Sequence, residues 1–317
     1  EARAVIPLLP AMYDEPFADS SQIPTFLVSR MARRHVTVAL AGDGGDELFG
    51  GYDRYRHLDR FRRVLSRWPV PIRRAGSALL RSVPSATWDR LGSGPIGRLT
   101  PGGVPRRLGH RMHKAGRVLA ADDPARTYEA MMVAENRADE FVIGAGVAPR
   151  GLYDLSDDLG NRSGFEAAML MDTVSYLPDD LLTKTDRASM AVSLEARLPL
   201  LDPEVFRFAW GLHHRDRYRD GSGKWVLRRL LERHVPAPLF DRPKMGFGVP
   251  VGPWLRGPLR GWANELLDPA LLAEQGLFDP GLISKRWSDH VDGSGDHTFL
   301  LWSVLMFQAW QHESGVL

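Results

Sequence analysis

Residues 36–47 read Val36-Thr-Val-Ala-Leu40 followed by Ala41-Gly-Asp-Gly-Gly-Asp-Glu47, and they indicate the class of fold. The first five residues are apolar or β-branched, which is typical of a buried strand. The next seven are mostly glycine and carboxylate residues, and Leu48 to Tyr52 then begins a helical stretch. A strand, a glycine-rich acidic loop and a helix in this order predict an open α/β sheet, with a ligand at the carboxyl end of the strand.

Helical periodicity dominates the rest of the chain. A helix is expected from Ser20-Ser21 to about Arg34, ahead of the strand. From Asp122 onward the pattern is again helical, with a Pro/Gly-rich loop between Pro236 and Pro258. We therefore expect an α/β fold in a single domain. Residues 1–60 form part of the sheet, and residues 61–317 form a large, mostly helical C-terminal part.

The composition excludes several classes of protein. The 317 residues are 44% hydrophobic and 25% charged, which is the usual globular mixture, and no apolar run is long enough to span a membrane. The chain has no cysteine, so disulfides, thiolate metal sites and a cysteine nucleophile are excluded within it. The missing cysteines favour a cytoplasmic location, and the folded type of sequence at residue 1 predicts no signal peptide.

Residues 54–117 are strongly basic. They include sixteen Arg or Lys residues but only two acidic ones, Asp59 and Asp89. One interpretation is an anion-binding or RNA-binding arm, and the other is a solvated helical excursion packed outside the sheet. We prefer the second, because the formal net charge of the whole chain is only +2 and does not require nucleic acid as a partner.

The acidic loop carries the strongest chemical signal. Glycine lets main-chain amides approach a phosphate closely, because no Cβ stands in the way. The carboxylates of Asp43 and Asp46 are hard oxygen ligands of the kind that Mg²⁺ shares with substrate phosphates. The alternative is a tight turn in which an aspartate serves as a cap.

Lys224 is one of only five lysines in the chain. It follows the turn Asp220-Gly-Ser-Gly223 and precedes an expected helix over Trp225–Glu232. A lysine at this point can neutralise phosphate oxygens as they leave, and the helix dipole makes a purely structural lysine here unfavourable. A surface lysine near a helix start is the alternative.

Two other segments mix charge with apolar or glycine residues. Glu195 and Arg197 are interpreted as a buried ion pair rather than a catalytic couple. The loop from Arg242 through Lys244 to Pro250 is either a flap over a site or a plain structural loop. No histidine pair has the spacing of a metal site.

Taken together, these blocks resemble the synthetase domain of the glutamine-dependent, class B asparagine synthetases. The motifs that carry the resemblance stand in the family's order: Ala-Gly-Asp43-Gly-Gly-Asp46-Glu-Leu-Phe-Gly-Gly-Tyr52, Leu-Thr-Lys-Thr-Asp186-Arg187-Ala-Ser-Met190, Ser-Leu-Glu195-Ala-Arg197-Leu-Pro-Leu-Leu-Asp202, Gly-Lys224-Trp, and Arg-Pro-Lys244-Met-Gly-Phe-Gly-Val-Pro250. The resemblance implies that residues 1–60 are the C-terminal portion of a nucleotide-binding parallel sheet of the ATP pyrophosphatase type, similar to the adenine-nucleotide α-hydrolases.

The resemblance also implies a reaction. Aspartate attacks the α-phosphate of ATP in the presence of Mg²⁺, which gives β-aspartyl-AMP and pyrophosphate, and ammonia then displaces AMP. The implied roles are nucleotide contact for Ala41 and Gly42, formation or use of the acyl-adenylate for Asp43, Mg²⁺ ligation for Asp46, pyrophosphate stabilisation for Lys224, and lining of an ammonia tunnel for Ser189, Ala196 and Leu198.

The chain departs from the family in two respects. It lacks the N-terminal cysteine of the glutaminase half and the Ser-Gly-Gly-x-Asp-Ser loop that binds pyrophosphate, which should precede residue 1. We therefore expect that these residues alone neither hydrolyse glutamine nor adenylate aspartate, and that one edge of the sheet is uncovered. A homodimer of the full-length protein is one assembly that the resemblance allows.

Alternatives remain for the function. The acceptor could be another carboxylate, or an internal amine could close a β-lactam ring, although ring-closing relatives tend to carry Tyr where Asp43 stands. A non-catalytic module that binds anions through residues 54–117 is the alternative from a different class.

Overall fold

A small parallel sheet lies within a mostly helical chain. The computed structural model describes residues 1–93, 108–132, 141–145, 159, 162–241 and 246–315. Within them, strand β1 (Val38–Leu40) pairs in parallel with strand β2 (Glu195–Arg197), with Ala39 opposite Ala196. The predicted α/β class is confirmed at this level, and β2 brings a segment beyond residue 60 into the sheet.

Helices account for most of the described chain. Before β1 lie the 3₁₀ helices Ala2–Leu8 and Pro10–Met12 and the α-helix Gln22–Arg33. Between the strands lie Gly45–Phe49, Asp53–Leu65, Val70–Ser82, Ser85–Ser93, Leu108–Ala120, Pro124–Met132, Gly164–Met171, the π-helical segment Asp172–Leu182, and Thr183–Met190. After β2 follow the 3₁₀ helix Pro199–Leu201 and the α-helices Pro203–Gly211, His214–Arg217, Trp225–Leu231, Ala237–Phe240, Val251–Arg256, Arg260–Leu266, Pro269–Gln275, Pro280–Val291 and Thr298–Ser314. In the ranges described, none of them combines the length and hydropathy needed to cross a bilayer.

The first α-helix begins close to the predicted position, but Asp19 organises its start. Gln22–Arg33 is helical, and the Ser21 side chain makes no capping hydrogen bond. Instead, the main-chain N–H and the hydroxyl of Ser21 donate to the carboxylate of Asp19 at 2.9 and 2.5 Å. A carboxylate accepts both hydrogen bonds at once, which a serine hydroxyl does less well.

The described residues form four buried clusters of side chains, and the two largest join helices that lie far apart in the sequence. The larger one joins the start of the chain to its last helices, with Ile6 and Leu9 packed in the same cluster as Leu301 and Trp302. The smaller one joins helix Asp53–Leu65 to helix Gly164–Met171. A third cluster packs Leu48 and Phe49, in the helix that follows the acidic loop, with Ala209, so packing rather than the sheet holds this helix in place.

The strand β1 is not buried, contrary to the prediction from its apolar residues. In β1, Leu40 is 74% exposed and Val38 is exposed as well. Val28 and Met31, in the preceding helix Gln22–Arg33, are also exposed. The type of residue indicates that a strand prefers to be covered, but it does not say what covers it. The only strand beside β1 in the described residues is β2, so the expected uncovered sheet edge is present.

Candidate active site

The acidic loop begins at the end of the sheet, and packing accounts for two of its glycines. The main-chain N–H of Ala41 donates to the carbonyl of Arg197 at 2.9 Å. Gly44 has a φ of 85°, and a Cβ there would lie 2.3 Å from Leu201. A Cβ at Gly45 would lie 2.9 Å from Leu200, whereas one at Gly42 would have no neighbour within 4 Å. Of these three glycines, only Gly42 has open space beside its Cα, so a ligand can come close to the main chain there.

Lys224 and Asp46 meet although they lie far apart in the sequence. Lys224 precedes helix Trp225–Leu231 in a left-handed conformation with a φ of 55°. Its main-chain N–H donates to the carbonyl of Phe49 at 3.1 Å, and its Nζ lies 2.9 Å from Asp46 Oδ2. Both side chains are about one quarter to one third exposed. The turn before Lys224 thus places a cation directly against the acidic loop.

Two glycines, Gly51 and Gly223, leave the space in which Asp46 and Lys224 meet. A Cβ at Gly51 would lie 1.9 Å from Asp46 Oδ1 and 2.4 Å from Lys224 Cε. A Cβ at Gly223 would lie 2.3 Å from the carbonyl oxygen of Gly50. Main chain cannot move aside easily, so position 223 needs glycine, whereas a residue larger than glycine at position 51 would displace the two side chains of the pair. Both glycines stand in the motifs, yet the sequence gives no sign of this role.

Asp43 is tied to a third part of the chain. Its Oδ2 accepts a hydrogen bond of 3.0 Å from the hydroxyl of Thr185, which lies on helix Thr183–Met190. Sequence reasoning did not single out Thr185, because a threonine among charged residues carries no chemical signal of its own. The helix after the π-helical segment therefore lies against the acidic loop.

The charged candidates on the same helix are turned toward other neighbours. Arg187 forms an ion pair of 2.6 Å with Asp14 and lies 3.5 Å from Asp186, whose side chain is 61% exposed. Ser189 is buried, and its hydroxyl donates to the carbonyl of Asp186 at 3.2 Å. These contacts connect the helix to the segment around Asp14 rather than to Asp46 and Lys224.

The predicted burial of the pair Glu195 and Arg197 is wrong. The two side chains do form an ion pair of 2.7 Å, but they are 54% and 63% exposed. They occupy alternate positions of β2 and so project from one face of the sheet, which is uncovered. Ala196 and Leu198 are half-buried. Lys244 lies outside the described residues, so its place in a flap stays a prediction.

A buried polar network that the sequence did not predict lies behind the loop. Glu47 is fully buried and accepts a hydrogen bond of 2.7 Å from the hydroxyl of Tyr52. Burial raises the pKa of Glu47. The guanidinium of Arg54 stacks 3.7 Å above the ring of Tyr52 and donates to Asp172 at 2.6 and 2.9 Å. Asp172 opens the π-helical segment, so the network links that segment to the loop.

A second charged cluster surrounds Lys184. Its Nζ lies 2.5 Å from Asp19 Oδ2 and 3.6 Å from Asp180 Oδ1. Burial and the neighbouring charge of Asp19 raise the pKa of Asp180 to about 6. Burial acts in the same direction on Asp19, but the ammonium of Lys184 outweighs it and lowers the pKa of Asp19. The two carboxyl groups therefore ionise at different pH.

The ionisation of Asp180 predicts a pH-dependent effect on stability. Its pKa is about 6 in the folded chain and near 3.8 in the unfolded one, so ionisation costs the folded state stability as the pH rises through this interval. We expect Asp180→Asn to raise the free energy of unfolding by about 1 kcal/mol at pH 8, and by about half as much at pH 5. Urea unfolding at both pH values measures this. The exposed neighbour Asp179, changed to Asn, is the control, and an equal gain at both pH values would contradict the prediction.

The donor set suits a metal ion that binds through few protein ligands. In the ranges that the structure describes, no group of three or more His, Asp or Glu side chains could hold a metal. Asp46 offers one partly exposed carboxylate. Mg²⁺ commonly takes one or two carboxylates and fills its other positions with water and substrate phosphates. Asp46 therefore fits as a single protein ligand in the described part of the chain.

Comparison with known proteins assigns the chain to a family. The family model described as asparagine synthase matches residues 1–312. The chain belongs to the asparagine synthase family. The family resemblance expected from the motifs is thereby confirmed.

Individual relatives match over nearly the whole chain. A Mycobacterium tuberculosis protein named "Putative asparagine synthetase (glutamine-hydrolyzing)" is 33% identical over 315 residues, which cover 97% of this chain and 44% of that protein. The Bacillus subtilis protein "Asparagine synthetase (glutamine-hydrolyzing) 1" is 27% identical over 311 residues, or 94% of this chain and 44% of that protein. This chain thus spans less than half the length of these relatives.

Proposed function

We propose that this chain is the C-terminal part of an ATP-dependent, amide-forming ligase of the asparagine synthetase (glutamine-hydrolysing) type. The parent enzyme activates aspartate as β-aspartyl-AMP with release of pyrophosphate, and ammonia then displaces AMP. The ammonia comes from glutamine, which another part of the parent protein hydrolyses. The enzyme belongs to amino-acid biosynthesis and acts in the cytoplasm.

The observation that carries the proposal is the contact between Lys224 and Asp46, 2.9 Å apart at the end of β1. A cation and a carboxylate lie side by side here, and Asp46 shares its loop with Gly42, which has open space beside its Cα. Ligands of α/β proteins bind at the carboxyl ends of parallel strands. This arrangement is suited to a nucleoside triphosphate, whose phosphate groups carry negative charge and bind a metal ion.

The residues of the site supply charge and position. When Mg²⁺ is bound, it neutralises charge on the phosphate oxygens, with Asp46 as its protein ligand. Lys224 donates hydrogen bonds to the pyrophosphate oxygens and stabilises the negative charge that develops as pyrophosphate leaves. The N–H of Ala41 is already bonded to β2, and the carbonyl of Gly42 accepts a hydrogen bond of 3.2 Å from the N–H of Gly45. The carbonyl of Ala41 and the N–H of Gly42 are therefore the groups proposed to contact the nucleotide. Asp43, whose carboxylate accepts a hydrogen bond from Thr185, is assigned to the formation or use of the acyl-adenylate.

The finer fold assignment is also part of the proposal. The parallel pairing of β1 and β2 and the loop at the end of β1 agree with a nucleotide-binding sheet of the ATP pyrophosphatase type. The exposed apolar side chains Val38 and Leu40 are suited to packing against further parts of the same sheet. We place those parts, and the loop that holds the rest of the triphosphate, elsewhere in the longer parent protein.

Ser189, Ala196 and Leu198 are proposed to line the path of ammonia. Ser189 is buried, and the other two are half-buried on and directly after β2. All three are small or uncharged, as the passage of a neutral molecule requires. Asp186, Arg187, Glu195 and Arg197 are assigned structural roles, because their ion pairs connect them to one another or to Asp14.

The experiment compares the 317-residue chain with its full-length parent. Each is given ATP, Mg²⁺, aspartate and ammonium, and pyrophosphate release is measured. We expect steady release by the parent and none above background by the chain alone. Release by the chain alone would contradict the second expectation. No release by the parent with aspartate, but release with another carboxylate, would change the acceptor; an internal-amine substrate tests ring closure in the same assay.

A further inference from the structure

A cavity separate from the candidate active site lies beside the basic helices. It has a volume of about 340 Å³ and is bounded by helix Asp53–Leu65, the start of helix Gly164–Met171, and Arg73 on helix Val70–Ser82. Neither Asp43, Asp46 nor Lys224 lines it. Its volume falls within the range of pockets that bind small molecules, which is about 300–1,000 Å³.

The acidic side chains of the lining are already neutralised. Asp59 is paired with Arg63 on the next turn of its own helix. Asp122 lies 3.5 Å from Arg74 and 3.4 Å from Arg126, and Asp123 lies 3.2 Å from Arg126. The carboxylates around the cavity therefore leave little negative charge to balance its other arginines.

Two arginines of the lining donate their described hydrogen bonds to main-chain carbonyl groups only. Arg62 donates to the main-chain carbonyl of Arg162 at 3.2 Å. Arg73 donates to the carbonyl of Ala121 at 2.7 Å, and its Nε is buried without a hydrogen-bond partner in the described residues. In those residues neither guanidinium is paired with a carboxylate. Each guanidinium has five N–H donors, so each can also donate to a ligand in the cavity.

We infer that this cavity binds a small phosphorylated molecule, whose phosphoryl oxygens accept hydrogen bonds from Arg62 and Arg73. The planar guanidinium fork matches the spacing of phosphate oxygens and binds them in pairs. A phosphate group carries up to two negative charges and at least three acceptor oxygens, so it satisfies two forks from different helices at once. A ligand of this kind also gives the buried Nε of Arg73 a partner. The inference does not depend on the proposed function.

Titration of the 317-residue chain with inorganic phosphate tests the inference. Isothermal titration calorimetry at constant ionic strength, maintained with NaCl, measures the affinity. We expect one saturable site, with an affinity that falls at least 10-fold in Arg62→Gln and in Arg73→Gln. Arg60→Gln is the matched control: Arg60 is exposed on the same helix and does not line the cavity, so its variant should bind phosphate as the parent chain does.

Other outcomes overturn the inference in distinct ways. An equal loss in Arg60→Gln would mean that general positive charge attracts phosphate, and the absence of saturable binding would mean that there is no site. Loss of binding in Lys224→Gln, with Arg62→Gln unchanged, would place the phosphate in the candidate active site instead. If Arg73→Gln does not fold, as circular dichroism will show, Arg62→Gln alone decides the result.

Discussion

Replacement of Lys224 by glutamine is expected to lower the rate of pyrophosphate release by the full-length enzyme about 10²–10³-fold. The ammonium lies 2.9 Å from Asp46 Oδ2, at the proposed triphosphate site. Glutamine is similar in length and imposes no new demand on the left-handed main chain at this position. The loss therefore reports the positive charge itself. Steady-state measurement of kcat and KM for ATP and aspartate checks the prediction.

Lys285→Gln is the matched control for this experiment. Lys285 forms an exposed i, i+4 ion pair with Asp289 on helix Pro280–Val291, far along the chain from the acidic loop. Its replacement should leave kcat within about two-fold, since exposed ion pairs contribute about 0–1 kcal/mol. If Lys224→Gln also keeps nearly full kcat, Lys224 does not stabilise the leaving pyrophosphate, and the proposed mechanism loses its principal residue.

Gly51→Ala should damage activity much more than stability. The new methyl group would lie 1.9 Å from Asp46 Oδ1 and 2.4 Å from Lys224 Cε, so both side chains must move apart. Side chains can shift at a modest cost, and we expect the free energy of unfolding to fall by about 1–3 kcal/mol. A displacement of about 1 Å in a catalytic group can cost about 100-fold in rate, and we expect a loss of that size in kcat. Urea unfolding and the pyrophosphate assay measure the two effects.

A second glycine separates this effect from the general cost of adding a methyl group. A Cβ at Gly261 would have no neighbour within 4 Å, and the residue lies in helix Arg260–Leu266. Gly261→Ala should leave kcat unchanged and should not destabilise the chain, since alanine favours a helix by about 0.5–1 kcal/mol over glycine. Equal activity in Gly51→Ala and Gly261→Ala would show that the contact between Gly51, Asp46 and Lys224 does not matter for the reaction.

Several predictions from the sequence were correct for reasons that can be stated. The helix after Ser21, the strand before the acidic loop and the helix after Lys224 were expected from short-range signals, and all three are present. Such signals depend on neighbouring residues only.

The wrong predictions share one cause. The residues of β1 and the pair Glu195 and Arg197 were expected to be buried, yet both are exposed. Burial depends on what packs against a segment, and residue types report only a preference for it. The network of Glu47, Tyr52, Arg54 and Asp172 was missed for a related reason. Each of these residues is ordinary for its helix, and only folding brings Asp172 to Arg54.

The sequence by itself determined the order of the motifs, the family to which they belong and the local structure around each one. Tertiary structure alone decided which residues meet: Asp46 with Lys224, and Asp43 with Thr185. It also decided which glycines serve packing and which one stays open to a ligand. The difference comes from the distance along the chain over which each kind of interaction acts. Hydrophobic period, turn chemistry and helix signals act over a few residues, whereas contacts between distant segments arise from packing of the whole chain.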